Sequence, residues 1–368
     1  MTRQTSIKDN ETCCTGNLKQ TGSAGSAEPS AASSAPACGN KSENRLYYDQ
    51  FSYMRIIATF FIIILHSLFA SRVYFRDVMT ASNVRYEQIF QNLLMWCVPV
   101  FLMITGVLLL DPEREISLRK LFGKYIKRML LTLVVFTFLF QLLDYEFGLQ
   151  PTLFPGWIRS LFFAKSWAHM WYLYTIIGLY LMMPFYKLIT RYRADLVPYL
   201  IAVCLVFIAV IPMFTENFGF GIPTAVIYPV YLFIGYQLFH HPVCLPLSLL
   251  LSVGCTAVLA VLSVFCSSTA METYAGYASI LVVGQSAGFF SLMNRIHIDA
   301  DSWIRKIDQC TFGIYIMHMI GIRWLMKIYG FNPYTYGPMS FILIAIVLFL
   351  ISFVLTWLIR TVTRNQLL

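Results

Sequence analysis

The sequence is short of charge. Only 12% of its 368 residues are Asp, Glu, Lys or Arg, about half the share a soluble globular protein carries. It also lacks the sequence marks of several chemistries. No C-x-x-C pair occurs, so neither a zinc ribbon nor a dithiol redox centre has a basis. No glycine-rich phosphate loop and no Gly-x-Ser-x-Gly elbow appears, which removes ATP-driven transport and ordinary serine-hydrolase chemistry. The start has no apolar run of the kind a secretory signal requires. Nine cysteines are scattered at 13, 14, 38, 97, 204, 244, 255, 266 and 310, several within apolar stretches. They imply small core residues rather than a disulfide framework; adjacent Cys13 and Cys14 read as free thiols, with acylation as the alternative.

Apolar side chains are what the sequence has in excess: 58% of residues are hydrophobic, with 30 Phe, 22 Tyr and 7 Trp. A water-soluble core of this size cannot hide so many, so most of the chain must face lipid or pack helix against helix within it. Residues 1–50 are the exception. Their Ser, Ala and Gly content and balanced charge, five basic against five acidic residues, predict a disordered polar tail. The net charge of +9 therefore resides beyond residue 50, in short loops, which is the imprint of membrane insertion and not of a nucleic-acid surface.

From residue 51 onward, ten apolar stretches approach the ~20 residues that cross a bilayer as helix, centred near 62, 100, 135, 179, 205, 232, 256, 283, 319 and 349. Beta-barrel strands would be about 10 residues long and alternating. The sequence predicts an all-α integral membrane protein, a bundle of about ten transmembrane helices over residues 51–362. Alternating the sides puts 20 of the 27 basic residues with the tail and seven opposite, so both termini are expected in the cytoplasm.

The first span, FSYMRIIATFFIIILHSLFASR, carries Arg55 and His66. Eleven steps of ~100° bring them within ~20° of one another, on one stripe and ~16 Å apart. Ionisable groups at that depth face a cavity or a partner. Histidine can take a proton from a hydroxyl near neutral pH when a partner orients it; arginine holds phosphates or carboxylates. The competing reading is structural, with Arg55 snorkelling to headgroups and His66 hydrogen-bonding a neighbouring helix.

Other candidates are weaker. The 111–128 loop holds Arg114, Arg119, Lys120, Lys124, Lys127 and Arg128, either an anion-attracting entrance or a topology and lipid-headgroup signal. His169, Trp171 and Tyr172 stand at the mouth of the fourth span, where aromatics normally anchor to the interface and are less often a saccharide platform. Asp144, Glu146, Glu216 and Glu272 are the acidic groups available to orient His66 or meet hydroxyls; Glu216, in TENFGFG, is preferred because its glycines let the loop fold inward. His318, in the ninth span with Arg323 five residues on, reads as a cross-helix hydrogen bonder, with an acceptor-side role as the alternative. His240 and His241 read as loop, and no metal site is expected.

The segment RIIATFFIIILH resembles the signature of the acyltransferase-3 family of integral membrane acyltransferases. Four further segments agree in order: VPVFLMITGVLLL, EISLRKLFGKYIKRMLL, HMWYLYTIIGLYLMMP and TFGIYIMH. The similarity runs from about residue 48 to 360. It implies transfer of an acyl group, usually acetyl, from cytoplasmic acyl-CoA as co-substrate to a hydroxyl of a cell-envelope saccharide or lipid-linked sugar, in a bacterial cytoplasmic membrane. No bound cofactor is expected. His66 would be the catalytic histidine and Arg55 its motif partner. The family's Arg-x-x-Arg before the third span is replaced here by Lys124 and Lys127, followed by Arg128, which keeps charge and weakens bidentate geometry. Direct transfer is the expected mechanism, with an acyl-histidine intermediate as the alternative. A transporter of a saccharide or small solute is the runner-up, its intramembrane Arg and His then lining a pathway.

Overall fold

The computed structural model describes residues 49–114, 117–214, 223–296, 298–363 and 367. The predicted tail therefore lies outside the described residues, save 49 and 50, which begin the first helix. The described residues are helical, with no strand. Eight helices are long and apolar enough to cross a membrane: α1 (Asp49–Val78), α2 (Ala81–Leu110), α3 (Leu118–Glu146), α4 (Ala168–Tyr192), α5 (Ala194–Met213), α7 (Leu245–Phe265), α8 (Ala270–Met293) and α10 (Met339–Val362). The two remaining predicted spans are α6 (Ile227–His240) and α9 (Ser302–Arg323). The first is short, and the second carries Arg305, Lys306, Asp308 and Arg323 along its length.

Packing shows how those two are tolerated. Helix α6 is sunk in protein, its stretch from Val230 to Tyr236 wholly buried, so its limited length never has to meet lipid. Two glycines bring it against α2. A Cβ at Gly106 would collide with the Leu232 carbonyl, and one at Gly235 would collide with the Met103 carbonyl. Each helix thus supplies the gap that the other's backbone fills, the small-residue contact by which helices approach closely in lipid. Gly106→Leu and Gly235→Leu are each expected to lower the thermal midpoint of the detergent-purified protein sharply. The double variant should cost less than the sum, since either bulk alone already parts the helices.

Helix α9 is pinned to α1 by polar rungs. Asp301 caps its start, accepting from the backbone amides of Trp303 and Ile304 at 2.9 and 2.8 Å. Arg305 then donates to Asp49 at 3.1 Å. Arg55 meets Asp308, and further along His66 meets His318. Rising numbers on both helices mean that α1 and α9 run parallel. Six long apolar helices lie between them, an even number that would make them antiparallel; α6 must cross as well for the observed register. Ten crossings follow. Helices α5 and α7 sit at the rim, burying only 22% and 17% of their apolar windows, whereas α1, α2 and α8 bury more than half.

Candidate functional site

The α1–α9 seam positions two groups of different chemistry. At the first level the Arg55 guanidinium makes a fork to Asp308, Nε to Oδ1 at 2.6 Å and Nη2 to Oδ2 at 2.7 Å. The Ser52 hydroxyl donates to Asp308 Oδ2 at 2.9 Å. Two parallel charge-assisted bonds fix the guanidinium plane, which a lysine could not do. The Asp308 side chain is 5% exposed and that of Arg55 21%, so the pair is inside the protein with the arginine facing open space.

At the second level, three histidines gather. His66 Nδ1 and His318 Nε2 are 2.8 Å apart, with ring planes only 6° from parallel. His318 Nδ1 lies 3.1 Å from the Ile314 carbonyl of its own helix. A carbonyl can only accept, so His318 Nδ1 must carry the proton, which leaves Nε2 of the neutral ring as an acceptor. His66 Nδ1 must then donate to it. The consequence is a free lone pair on His66 Nε2, the arrangement a general base or nucleophile requires. His169 completes the group, its ring centroid 6.3 Å from His66 and 5.9 Å from His318. Among the described residues no set of three His, Cys, Asp or Glu side chains converges as metal ligands would.

A cavity of about 200 Å³ opens at the Arg55 level and ends at Tyr315, short of the three histidines, which are not among its lining residues. Arg55 and Arg128 line one end and Tyr172 and Tyr315 the other, with Ile62 and Phe101 among the apolar walls. The Tyr315 ring stands 6.2 Å from His66. Arg128 lies over the Phe312 ring at 5.5 Å, and its Nε is buried without a hydrogen-bond partner. The cavity is therefore cationic at one end, apolar along its length and closed at the other by Tyr172 and Tyr315, the latter a neighbour of His66. A larger groove of about 600 Å³ between α3, α9 and α10 is almost wholly apolar. His66 is not among its lining residues.

Behind His169 is a second network. Asp144 pairs with Arg323 at 2.6 Å and accepts from Trp167 Nε1 at 3.0 Å, while Arg323 sits 4.7 Å over the Trp167 ring. Trp167 stacks on Phe140 at 4.2 Å, and both rings wall in His169.

The structure distributes the predicted residues unevenly. Arg55, Arg128 and Tyr172 line one cavity, and His66, His169 and His318 cluster beyond Tyr315, one of its walls. Arg119, Lys124 and Lys127 are exposed and do not line the cavity. Trp171 packs inward against Tyr228 and Tyr277, at 5.5 and 5.7 Å, instead of standing in an interfacial belt. Among the acids, Asp144 is buried, Glu146 and Glu272 are exposed, and Glu216 lies outside the described residues. Asp308 and Tyr315 went unremarked in the sequence. The signal for Asp308 was there, since it is the only acidic residue in α9. The six cysteines among the described residues are free thiols.

A family model for an acyltransferase domain, acyltransferase-3, matches residues 48–361. No curated protein and no solved structure matches the chain.

Proposed function

The chain belongs to the acyltransferase-3 family and is a multi-pass membrane acyltransferase; from that premise we propose that it moves an acyl group, acetyl by family resemblance, from acyl-CoA to a hydroxyl of a cell-envelope saccharide. The excess of basic residues on the Arg55 side supports a cytoplasmic location for both termini and for the donor entrance. Arg128 and Arg55 meet donor phosphates at the mouth, and the slender thioester arm lies along the apolar channel toward His66. The acceptor hydroxyl arrives from the opposite face. His66 Nε2 takes its proton as the oxygen bonds to the thioester carbon. The carbon–sulfur bond then breaks and the departing thiolate recovers that proton from His66. Transfer is direct, so mixing with labelled acetyl-CoA in the absence of acceptor leaves no stoichiometric label on the protein.

The observation that carries this reading is the hydrogen-bond relay from the Ile314 carbonyl through His318 to His66, which frees one basic nitrogen beside Tyr315, a wall of the cavity whose other end is cationic. The test is acceptor-dependent release of free CoA thiol by the detergent-purified chain. Arg128→Gln is expected to raise the KM for the donor about tenfold with little change in kcat, the loss of one charge-assisted contact. Lys124→Ala and Lys127→Ala should stay within about twofold, since exposed charges are screened. Absence of thiol release across a wide hydroxyl panel, together with solute uptake into proteoliposomes, overturns the proposal in favour of transport.

A further inference from the structure

The His169 ring is enclosed, the residue being 1% exposed, and neither Nδ1 nor Nε2 has a hydrogen-bond partner. A neutral imidazole always bears one N–H and one lone pair. Whichever tautomer is present, a buried donor goes unmet, which is costly. The Ile316 backbone of α9 faces the ring but lies outside hydrogen-bond geometry. Nor is the ring free to turn away. Phe140 and Tyr315 pack on it at 5.4 and 5.7 Å, and the Tyr315 hydroxyl donates to the His169 backbone carbonyl at 2.5 Å. A stability role would not leave both nitrogens orphaned in a cage this tight.

The cage holds the ring beside the reacting groups. His169 meets His66 and His318 at interplanar angles of 63° and 68°, so it stands across the pair instead of stacking with it. His66 and His318 satisfy their facing nitrogens on each other. Of the three rings, His169 alone has no hydrogen bond on either nitrogen, and its centroid is 6.3 Å from that of His66.

We infer that His169 is a further catalytic residue, the hydrogen-bond donor to the oxyanion of the tetrahedral intermediate, a role that rests on His66 acting as the base. When the acceptor oxygen bonds to the thioester carbon, its proton passes to His66 Nε2 and the carbonyl π pair moves onto oxygen. The His169 N–H donates to that oxygen. On collapse the pair returns to form the ester carbonyl, the carbon–sulfur bond breaks, and the thiolate takes the proton from His66. His169 stays neutral throughout and exchanges no proton. A donor unmet in the ground state and met only at the oxyanion stabilises the transition state selectively, and low dielectric strengthens it.

The experiment compares His169→Phe, His169→Leu, His169→Gln and His169→Asn with wild type and His66→Ala, measuring thiol release and thermal unfolding on the same detergent preparations. His169→Phe and His169→Leu are expected to lose about 10²- to 10³-fold in kcat at nearly unchanged donor KM. Their thermal midpoints should equal or exceed wild type, because an unmet polar group has been removed. One of the two amides, whichever places its N–H at the active nitrogen, should recover at least about tenfold over His169→Phe, a gain of about 1.4 kcal/mol. Wild-type kcat in His169→Phe beside an inactive His66→Ala overturns this inference alone, whereas an active His66→Ala overturns the reading beneath it. Unfolding of both apolar variants, or equal losses in all four, assigns the ring a structural task and overturns the inference too.

Discussion

His66→Ala lowers acyl transfer by about 10²- to 10⁴-fold, the range by which a positioned acid–base group accelerates a reaction. The imidazole sits at the end of a fixed relay, so the loss should fall on kcat and leave the donor KM nearly unchanged, because the proposed phosphate contacts at the Arg55 level lie some ~16 Å away. His318→Phe tests the relay itself. Without an acceptor at that position, nothing holds the proton on His66 Nδ1, and the ring is free to protonate the nitrogen that must stay bare. His318→Phe should therefore lose much of the same activity while His66 remains in place. The double variant should be no slower than His66→Ala, since the two rings act as one unit. Initial rates of thiol release at saturating donor, on preparations matched for monodispersity, decide it; additive losses would mean that His318 acts on its own.

Asp308→Ala has the second large effect, and it acts on folding as well as turnover. It strips both hydrogen-bonded oxygens from the Arg55 fork and leaves a guanidinium unpaired within the helix seam. Breaking a buried ion pair from one side costs about 3–5 kcal/mol; the partial exposure of Arg55 places this case toward the lower figure. The combination Arg55→Met with Asp308→Leu removes both charges and should recover most of the thermal stability of the single variant. It should not recover activity, because the cation at the cavity mouth is gone. Thermal unfolding and thiol release measured side by side separate the two tasks. Recovery of both would show that Arg55 only staples α1 to α9.

The difference between what the chain declares and what it conceals follows from distance along it. Arg55 and His66 share one helix, and the 3.6-residue period alone puts them on one stripe. Apolar runs near bilayer length announce eight helices directly. Helix α6 and helix α9 also register as apolar stretches, although one is short and the other charged. Their crossing is secured by burial and by the parallel rungs rather than by length. Asp308 and His318 are 253 and 252 residues from their partners, and no local pattern can report a contact of that span. His318 reads correctly as a cross-helix bonder, yet nothing in the sequence says that its partner is His66. The basic loop reads correctly for charge but not for direction. A π-helical turn from Leu121 to Ile126 shifts the phase of α3, so a 3.6-residue extrapolation cannot tell that Arg128 lines the cavity and Lys124 does not.

The long reach between the halves of the seam has a consequence for biosynthesis. Residues 55 and 66 enter the bilayer first, while 308 and 318 are still to be translated. A nascent chain halted after eight helices holds Arg55 and His66 with neither partner, so the proposed base would not yet be oriented. On that proposal, competence for chemistry arrives only with α9, and a ribosome-stalled product lacking it should be inert. Supplying that last helical pair as a separate polypeptide should revive such a product wherever the two fragments meet in the same bilayer.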